Sequence, residues 1–432
     1  MKSILFIVHG NNDLDHYMPI IFNAEKKYNC LIIFIPDRNS PKISYFHYNL
    51  LRKKKINIIY ANNFFNSKIQ KLIQSFILII RSFKFKILNK TIFFYFFLIL
   101  ANLLEKLINF SLDEHSLKKS FENFLHQNKI NLIIIDIIDQ SKHDKNNLFK
   151  KQLGCLLHAV KGAKIPIFMI SHGANILFDN KLKQRKKNND LFYADSLALC
   201  NKYEKSLYKY LAKENNSIKI LGDVRHDIPW MNFIKTHNIN GIKKMRKFNN
   251  KLKLLYIMGN LNFLRDKNIE KKINSEISNL LSYIPNLEIW VKLHPKINSK
   301  FILEKEDIRI FHKETDTSIL IQSADIIVTT HSGVIVESII SDKLNIFYDS
   351  WRKHTKNIWT IFDKTNCVKK INNFKNLCDE IKSFKKKKIN DKDKNIFYKK
   401  FISGKISIKS SIVRNYLKEI DSLIKIKKYA YN

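Results

Sequence analysis

Short apolar runs rich in β-branched residues recur along this chain, and longer segments with helical spacing lie between them. Ile4–Val8, Cys30–Ile35, Ile56–Tyr60, Leu132–Ile138 and Ile165–Ile170 are such runs, and Ile218–Leu221 ends the series. Strands alternating with helices build a doubly wound parallel sheet. A second series follows: Leu254–Met258, Leu287–Val291, Ile308–Phe311, Ile326–Thr329 and Asn345–Tyr348. Between the two lie the polar, proline-containing stretch Gly222–Trp230 and the Lys- and Asn-rich stretch Lys243–Lys251. The chain of 432 residues also exceeds one typical core. The expected fold class is α/β, with two Rossmann-like parallel-sheet domains facing across a cleft. Residues 1–225 would form the first domain, residues 250–385 the second, and 386–432 a basic helical segment.

The formal net charge is +39, with 77 Lys and Arg against 38 Asp and Glu. Such an excess suits anionic partners, whether nucleic acid, lipid headgroups or anionic substrates. The abundance of Lys, Ile and Asn beside only 9 Gly also fits a very A/T-rich genome. Lysines run along the whole length and form no basic cluster interleaved with aromatics, so no specific nucleic-acid partner is expected. The five cysteines (Cys30, Cys155, Cys200, Cys367, Cys378) stand far apart, as in a chain kept in a reducing cytoplasm. Met1-Lys2-Ser3 and Ile4–Val8 resemble a signal peptide only superficially, because the apolar run is short and His9-Gly10-Asn11-Asn12-Asp13 follows it.

Thr91–Leu104 (TIFFYFFLILANLL) departs from the pattern, within an apolar insert spanning about residues 73–110. It falls short of the about 20 residues that a membrane span needs. Two readings stay open. One is a core helix. The other is a helix lying at an anionic membrane interface, with Lys84, Lys86, Lys90 and Lys106 on headgroups.

The most chemically telling stretch runs from Ala324 to Glu337. An apolar strand enters the turn Thr330-His331-Ser332-Gly333, and a helix carrying Glu337 follows. Backbone amides at the start of that helix suit a phosphate or diphosphate, and Glu337 could accept ribose hydroxyls. Leu287–Val291 likewise ends in Lys292-Leu293-His294-Pro295, where His294 could stabilise a departing diphosphate. Lys292 is expected in solvent. Two such strand ends point to one nucleotide-diphosphate pocket at the carboxyl edge of a parallel sheet.

In the first domain, Ile165–Ile170 ends in Ser171-His172-Gly173. A histidine there has the near-neutral pKa of a general base for a hydroxyl acceptor, although it could also cap the next helix. His9-Gly10 ends the first strand in the same way, and Asp13, Asp15 and His16 follow. His9, Gly10, Asp15, His16 and Gly173 are expected to line the acceptor side, although for Asp13 or Asp15 taken singly a helix cap is the commoner role. A Walker A loop, a GxGxxG and a Gly-x-Ser-x-Gly elbow do not occur. No Asp-x-Asp pair has the look of a metal loop, and no metal or cofactor is expected.

At these residues the chain resembles the GT-B superfamily, and within it the bacterial CDP-glycerol glycerophosphotransferase, capsule and surface-polysaccharide glycosyltransferase group. Ser171-His172-Gly173, Leu221–Asp227, Lys292–Pro295 and Ala324–Glu337 carry the likeness. The resemblance implies that His172 is the base, that His294 and Ser332 meet donor phosphates, and that Glu337 reaches the ribose. It gives Arg225 a place at the domain junction, reaching a phosphate or bracing the hinge. The chain departs from the group at His331, where a second serine is frequent, and at Asp223 and Val224, where glycine or proline is.

The function that follows is metal-independent transfer of a sugar, or a polyol phosphate, from a nucleotide-activated donor. The acceptor is a hydroxyl of a bacterial surface polysaccharide or lipid-linked glycan, at the inner face of the plasma membrane. A UDP-N-acetylglucosamine 2-epimerase is the alternative on the same fold.

Overall fold

A computed structural model of the chain describes residues 1–36, 42–83, 92–137, 147–171, 177–179, 194–214, 217–246, 251–258, 269–293, 306–311, 315–329, 332–348, 358–384, 389–404 and 411–429. Its strands are β1 (Ser3–Val8), β2 (Asn29–Phe34), β3 (Asn57–Tyr60), β4 (Ile130–Asp136), β5 (Ile167–Ile170), β6 (Leu177–Asp179), β7 (Ser196–Leu199) and β8 (Ile218–Ile220). They continue with β9 (Leu252–Ile257), β10 (Leu287–Lys292), β11 (Ile308–Phe311), β12 (Ile326–Thr329), β13 (Leu344–Tyr348), β14 (Ile358–Thr360) and β15 (Lys369–Ile371). The chain divides into two compact units.

The first unit comprises Met1–Gly173, Gln184–Arg225 and Ile412–Asn432. Its sheet has the order β3-β2-β1-β4-β5-β7-β8, and every pairing is parallel. All six residues of β1 are buried, as a central strand covered on both faces requires. The second unit comprises Ala174–Lys183 and His226–Ser411. Its parallel sheet runs β11-β10-β9-β12-β13-β15, and β6 pairs antiparallel with β14 beside it. Side chains alternate across β9: Leu254 and Tyr256 enter one apolar cluster, Leu255 and Ile257 the other.

The expected strands occur within two residues of their apolar runs. Among the described residues, β6, β7, β14 and β15 were not expected. β7 reads Ser-Leu-Ala-Leu, without a β-branched residue, and β15 opens with two lysines before its one β-branched residue, Ile371.

The expectation of a separate basic segment from 386 onward is corrected. Helix Asp391–Phe397 belongs to the second unit, whereas helix Val413–Tyr429 belongs to the first. The latter buries Val413, Tyr416, Ile420, Leu423 and Ile424, an apolar stripe at helical spacing, and packs on helix Asn11–Ala24 and on β4. Tyr416 donates to the Gly222 carbonyl at 2.7 Å. Gly222 has φ 98°, a conformation that a side chain would strain.

The apolar insert forms a pair of helices, Lys68–Phe83 and Ile92–Ser111, packed on each other. Ile77, Ile80, Ala101 and Ile108 face inward. Ile69, Leu72, Phe76 and Ile79 on the first helix are exposed, as are Ile99, Leu103, Leu107 and Phe110 on the second. Among the described residues no helix is long and apolar enough to cross a membrane.

Candidate active site

In each unit a central strand has neighbours that follow it in opposite directions, and the crevice of a doubly wound sheet opens at the carboxyl ends there. In the first unit this point lies between β1 and β4, and in the second between β9 and β12. Of the residues singled out from the sequence, His9 and Gly10 follow β1, and Ser332 and Gly333 follow β12 by three and four residues.

Beyond β1, Gly10 caps helix Asn11–Ala24, and the Asp13 carboxylate accepts from the amides of His9 at 2.6 Å and Gly10 at 3.2 Å. Asp13 is therefore the cap that ties the strand end to the helix. The His9 ring meets Phe149 edge-on, with centroids 4.6 Å apart. Asp15, a half-turn on, lies 2.9 Å from His47 Nε2 and 3.5 Å from Arg225 Nη1. His16 Nδ1 lies 3.7 Å from Asp223 Oδ1. Burial pushes the Asp15 carboxyl up, but Arg225, His47 and His16 together outweigh it and hold the group well below the usual carboxylate range.

Asp136 ends β4 and is buried. Burial raises the neighbouring Tyr17 hydroxyl, and the charges of Asp136 and Asp13 raise it further. Ser171, after β5, places its Oγ 3.0 Å from Cys200 Sγ, after β7. The Cys200 amide donates to the buried Glu204 carboxylate at 2.9 Å. Carboxylates thus recur along this edge, and those of Asp13, Asp15 and Glu204 are engaged by backbone amides, His47 and Arg225.

The second unit's edge is different. Thr329 ends β12, and Ser332, Gly333 and Val334 lead into helix Ile335–Ile340. The helix has six residues, and its first amides bond inward: Val336 to Gly333 O at 3.1 Å, Glu337 to Val334 O at 3.1 Å, Ser338 to Val334 O at 3.4 Å. Donors for an anion are therefore sought in the Ser332 hydroxyl and the turn preceding the helix, not in the helix itself. A Cβ built on Gly333 meets no atom of the described residues within 4 Å. Glu337 is buried one turn beyond. Lys292 ends β10 at 5 % exposure, not in solvent as expected, because both faces of this inner strand are covered.

The structure brings His9, Gly10, Asp15, His16 and Arg225 to the first unit's edge, and Ser332, Gly333 and Glu337 to the second unit's. Arg225, expected on the donor side, has its ion pair with Asp15. His172, Gly173, His294, Thr330 and His331 lie outside the described residues. Sequence reasoning missed His47, which also touches Ser44 Oγ at 2.8 Å. It stands 32 residues from Asp15, and nothing local marks it.

Residues 264–411, which include the Ser332 turn and Glu337, match the family model described as CDP-Glycerol:Poly(glycerophosphate) glycerophosphotransferase. No curated protein matches the chain. Among solved structures, a variant of the wall teichoic acid polymerase TagF is similar, with TM-score 0.55 and 12 % identity, over 99 % of this chain and 90 % of that one. S. aureus MnaA in complex with UDP gives TM-score 0.54 and 10 % identity, over 98 % and 97 %. The UDP-GlcNAc 2-epimerase of Methanocaldococcus jannaschii gives 0.53 and 12 %, over 99 % of both chains. At such identities the structures speak for the fold alone: an α/β chain of two Rossmann-like units, as in GT-B enzymes. Polymerase and epimerase share it, so the fold does not separate the two readings, and the family match favours the transferase. Over residues 264–411 the chain resembles the CDP-glycerol glycerophosphotransferases.

Proposed function

We propose that this enzyme moves a glycerol phosphate unit, or a sugar, from a nucleotide-activated donor to a hydroxyl of a cell-envelope polymer or lipid-linked glycan. The observation that carries the reading is the family match over residues 264–411, because it spans the anion-friendly turn at the second unit's switch point. With CDP-glycerol as donor, the acceptor oxygen attacks the phosphorus that bears glycerol. A P–O bond forms to the acceptor and the P–O bond to CMP breaks. His172 takes the proton from the hydroxyl. His294 and Ser332 hold the phosphate of the departing CMP, and Glu337 accepts from the ribose. The reading gives the acceptor to the first unit's edge and the phosphates to the Ser332 turn.

The acceptor is lipid-linked in this reading, and the enzyme works at the inner face of the plasma membrane. Support comes from the insert helices, which expose apolar side chains and carry Lys68, Lys71 and Lys106 on the same two helices. CMP release from CDP-glycerol, dependent on an added hydroxyl acceptor, tests the transfer. Conversion of UDP-N-acetylglucosamine without any acceptor would instead establish the epimerase.

A further inference from the structure

Helix Ile228–His237 reads IPWMNFIKTH, yet none of its residues is buried. A largely apolar helix normally covers its apolar side with core. Here Ile228, Met231 and Lys235, at the spacing of one helix face, border a cavity of about 380 Å³. The rest of the lining includes Gln322 near the end of helix Thr317–Ser323, Ile340 and Ser341 at the end of helix Ile335–Ile340, and Lys394. All of these residues belong to the second unit. The Ser332 turn precedes helix Ile335–Ile340, and the cavity meets the far end of that helix, about 9 Å along its axis.

The lining selects the occupant. Among the described residues around the cavity there are two lysines and no carboxylate. Lys394 is already engaged, 2.6 Å from Asp342 and 3.6 Å from Asp391. Lys235 makes no ion pair among the described residues, so one positive charge is left for a ligand. Ser341 Oγ accepts from Gln322 Nε2 at 2.8 Å and keeps its own hydrogen to donate. Lys235 and Ser341 thus both offer donors, as an anion requires. Ile228, Met231 and Ile340 add apolar surface, whose cover by hydrocarbon is favoured over its contact with water. The volume falls at the lower end of small-ligand pockets, roughly 300–1,000 Å³, and far exceeds the room one water takes. An inorganic anion would leave the apolar surface wet, and a neutral hydrocarbon would make no use of Lys235.

We propose that this cavity binds a small organic monoanion, with a hydrocarbon body against Ile228, Met231 and Ile340 and a carboxylate on Lys235. The site is separate from the Ser332 turn and does not depend on the transferase reading. The test uses the full chain and saturation-transfer NMR at physiological salt, where the general excess of positive charge is screened. Three probes divide the claim. Hexanoate carries both features, hexylammonium keeps the body and reverses the charge, and acetate keeps the charge without the body. Hexanoate should give a saturable signal, and the other two should bind at least roughly tenfold more weakly. Lys235→Gln removes an exposed charge, so it should keep the wild-type melting temperature and weaken hexanoate roughly fivefold. Met231→Trp fills the apolar part and should abolish the signal. Should that larger side chain lower the melting temperature, Lys235→Gln and the probe series still decide. Hexanoate binding that Lys235→Gln or a folded Met231→Trp leaves unchanged would overturn the proposal. So would hexylammonium or acetate binding as tightly as hexanoate, and the cavity would then hold solvent only.

Discussion

Arg225 Nη1 stands 3.5 Å from one oxygen of Asp15 while His47 Nε2 stands 2.9 Å from the other. One carboxylate thus ties the start of helix Asn11–Ala24 to helix Tyr45–Lys53 and to the segment after Gly222. The Asp15 pKa is depressed in the fold, so its stabilisation is present above the ordinary Asp value of about 3.9 and is lost as pH falls through the lower folded value. Arg225→Ala should therefore cost about 1 kcal/mol at pH 7, since both side chains are about one-third exposed. Thermal melts of wild type and variant should converge as the pH drops below the ordinary carboxylate range. A deficit of the same size in acid would mean that Arg225 acts by packing and not through Asp15.

Ser332→Ala should weaken donor binding and spare the acceptor. A hydroxyl bonded to a phosphate contributes about 1.5–3 kcal/mol, so CDP-glycerol affinity should fall roughly tenfold to a hundredfold by calorimetry. Gly333→Ala is the companion variant. Its methyl group meets no atom of the described residues within 4 Å, so the melting temperature should hold while the donor loses room. Unchanged donor affinity in both variants would remove the turn from the donor site.

Much of this was legible before any coordinates. The strands and their parallel arrangement follow from apolar runs alternating with helical segments, and strand ends in parallel sheets carry the polar residues, so His9, Ser332 and Glu337 could be singled out from position alone. What stayed hidden has a common physical cause. His47 joins Asp15 across 32 residues, and pairing at that range leaves no periodic trace. Helix Val413–Tyr429 shows its apolar stripe, but a stripe does not name the surface that covers it. The first amides of helix Ile335–Ile340 bond to carbonyls of Gly333 and Val334 in the turn before it, and helix ends are the least certain feature of any sequence pattern. The exposed side of the insert is the same problem reversed: the hydrophobic content of Thr91–Leu104 did not say which positions face inward, and the structure buries Ala101 while exposing Phe97, Ile99 and Leu103.

The insert should hold the protein on anionic vesicles. Each apolar side chain transferred from water is worth about 1.5–3 kcal/mol when fully buried. Leu103, Leu107 and Phe110 share the exposed side at 52 %, 61 % and 93 %, so replacing all three with Ser should lower partitioning at least roughly a hundredfold. Sedimentation with phosphatidylglycerol vesicles measures it, with phosphatidylcholine vesicles as the neutral control. If the triple variant sediments like the wild type, or if it changes the oligomeric state of the free protein instead, the lipid contact is not made here.

Glu276 supplies a pH test in the second unit. Burial pushes its carboxyl up to about 7, while the Tyr348 hydroxyl at 3.2 Å and the Lys272 charge pull it back. The folded chain then holds a proton that the unfolded chain releases near pH 4.3. Below that value the group is protonated in both states and has no effect. As the pH climbs from about 4.3 to 7 the folded state loses ground, and above 7 the loss is complete. Glu276→Gln keeps the shape and the bond from Tyr348 but never ionises. It should melt with the wild type at pH 4.5 and higher than the wild type at pH 8, with the gap opening between the two. A gap that is the same at both pH values would show that the gain came from packing, and a lower melting temperature at pH 8 would show that the ionised carboxylate is stabilised by a partner other than Tyr348 and Lys272.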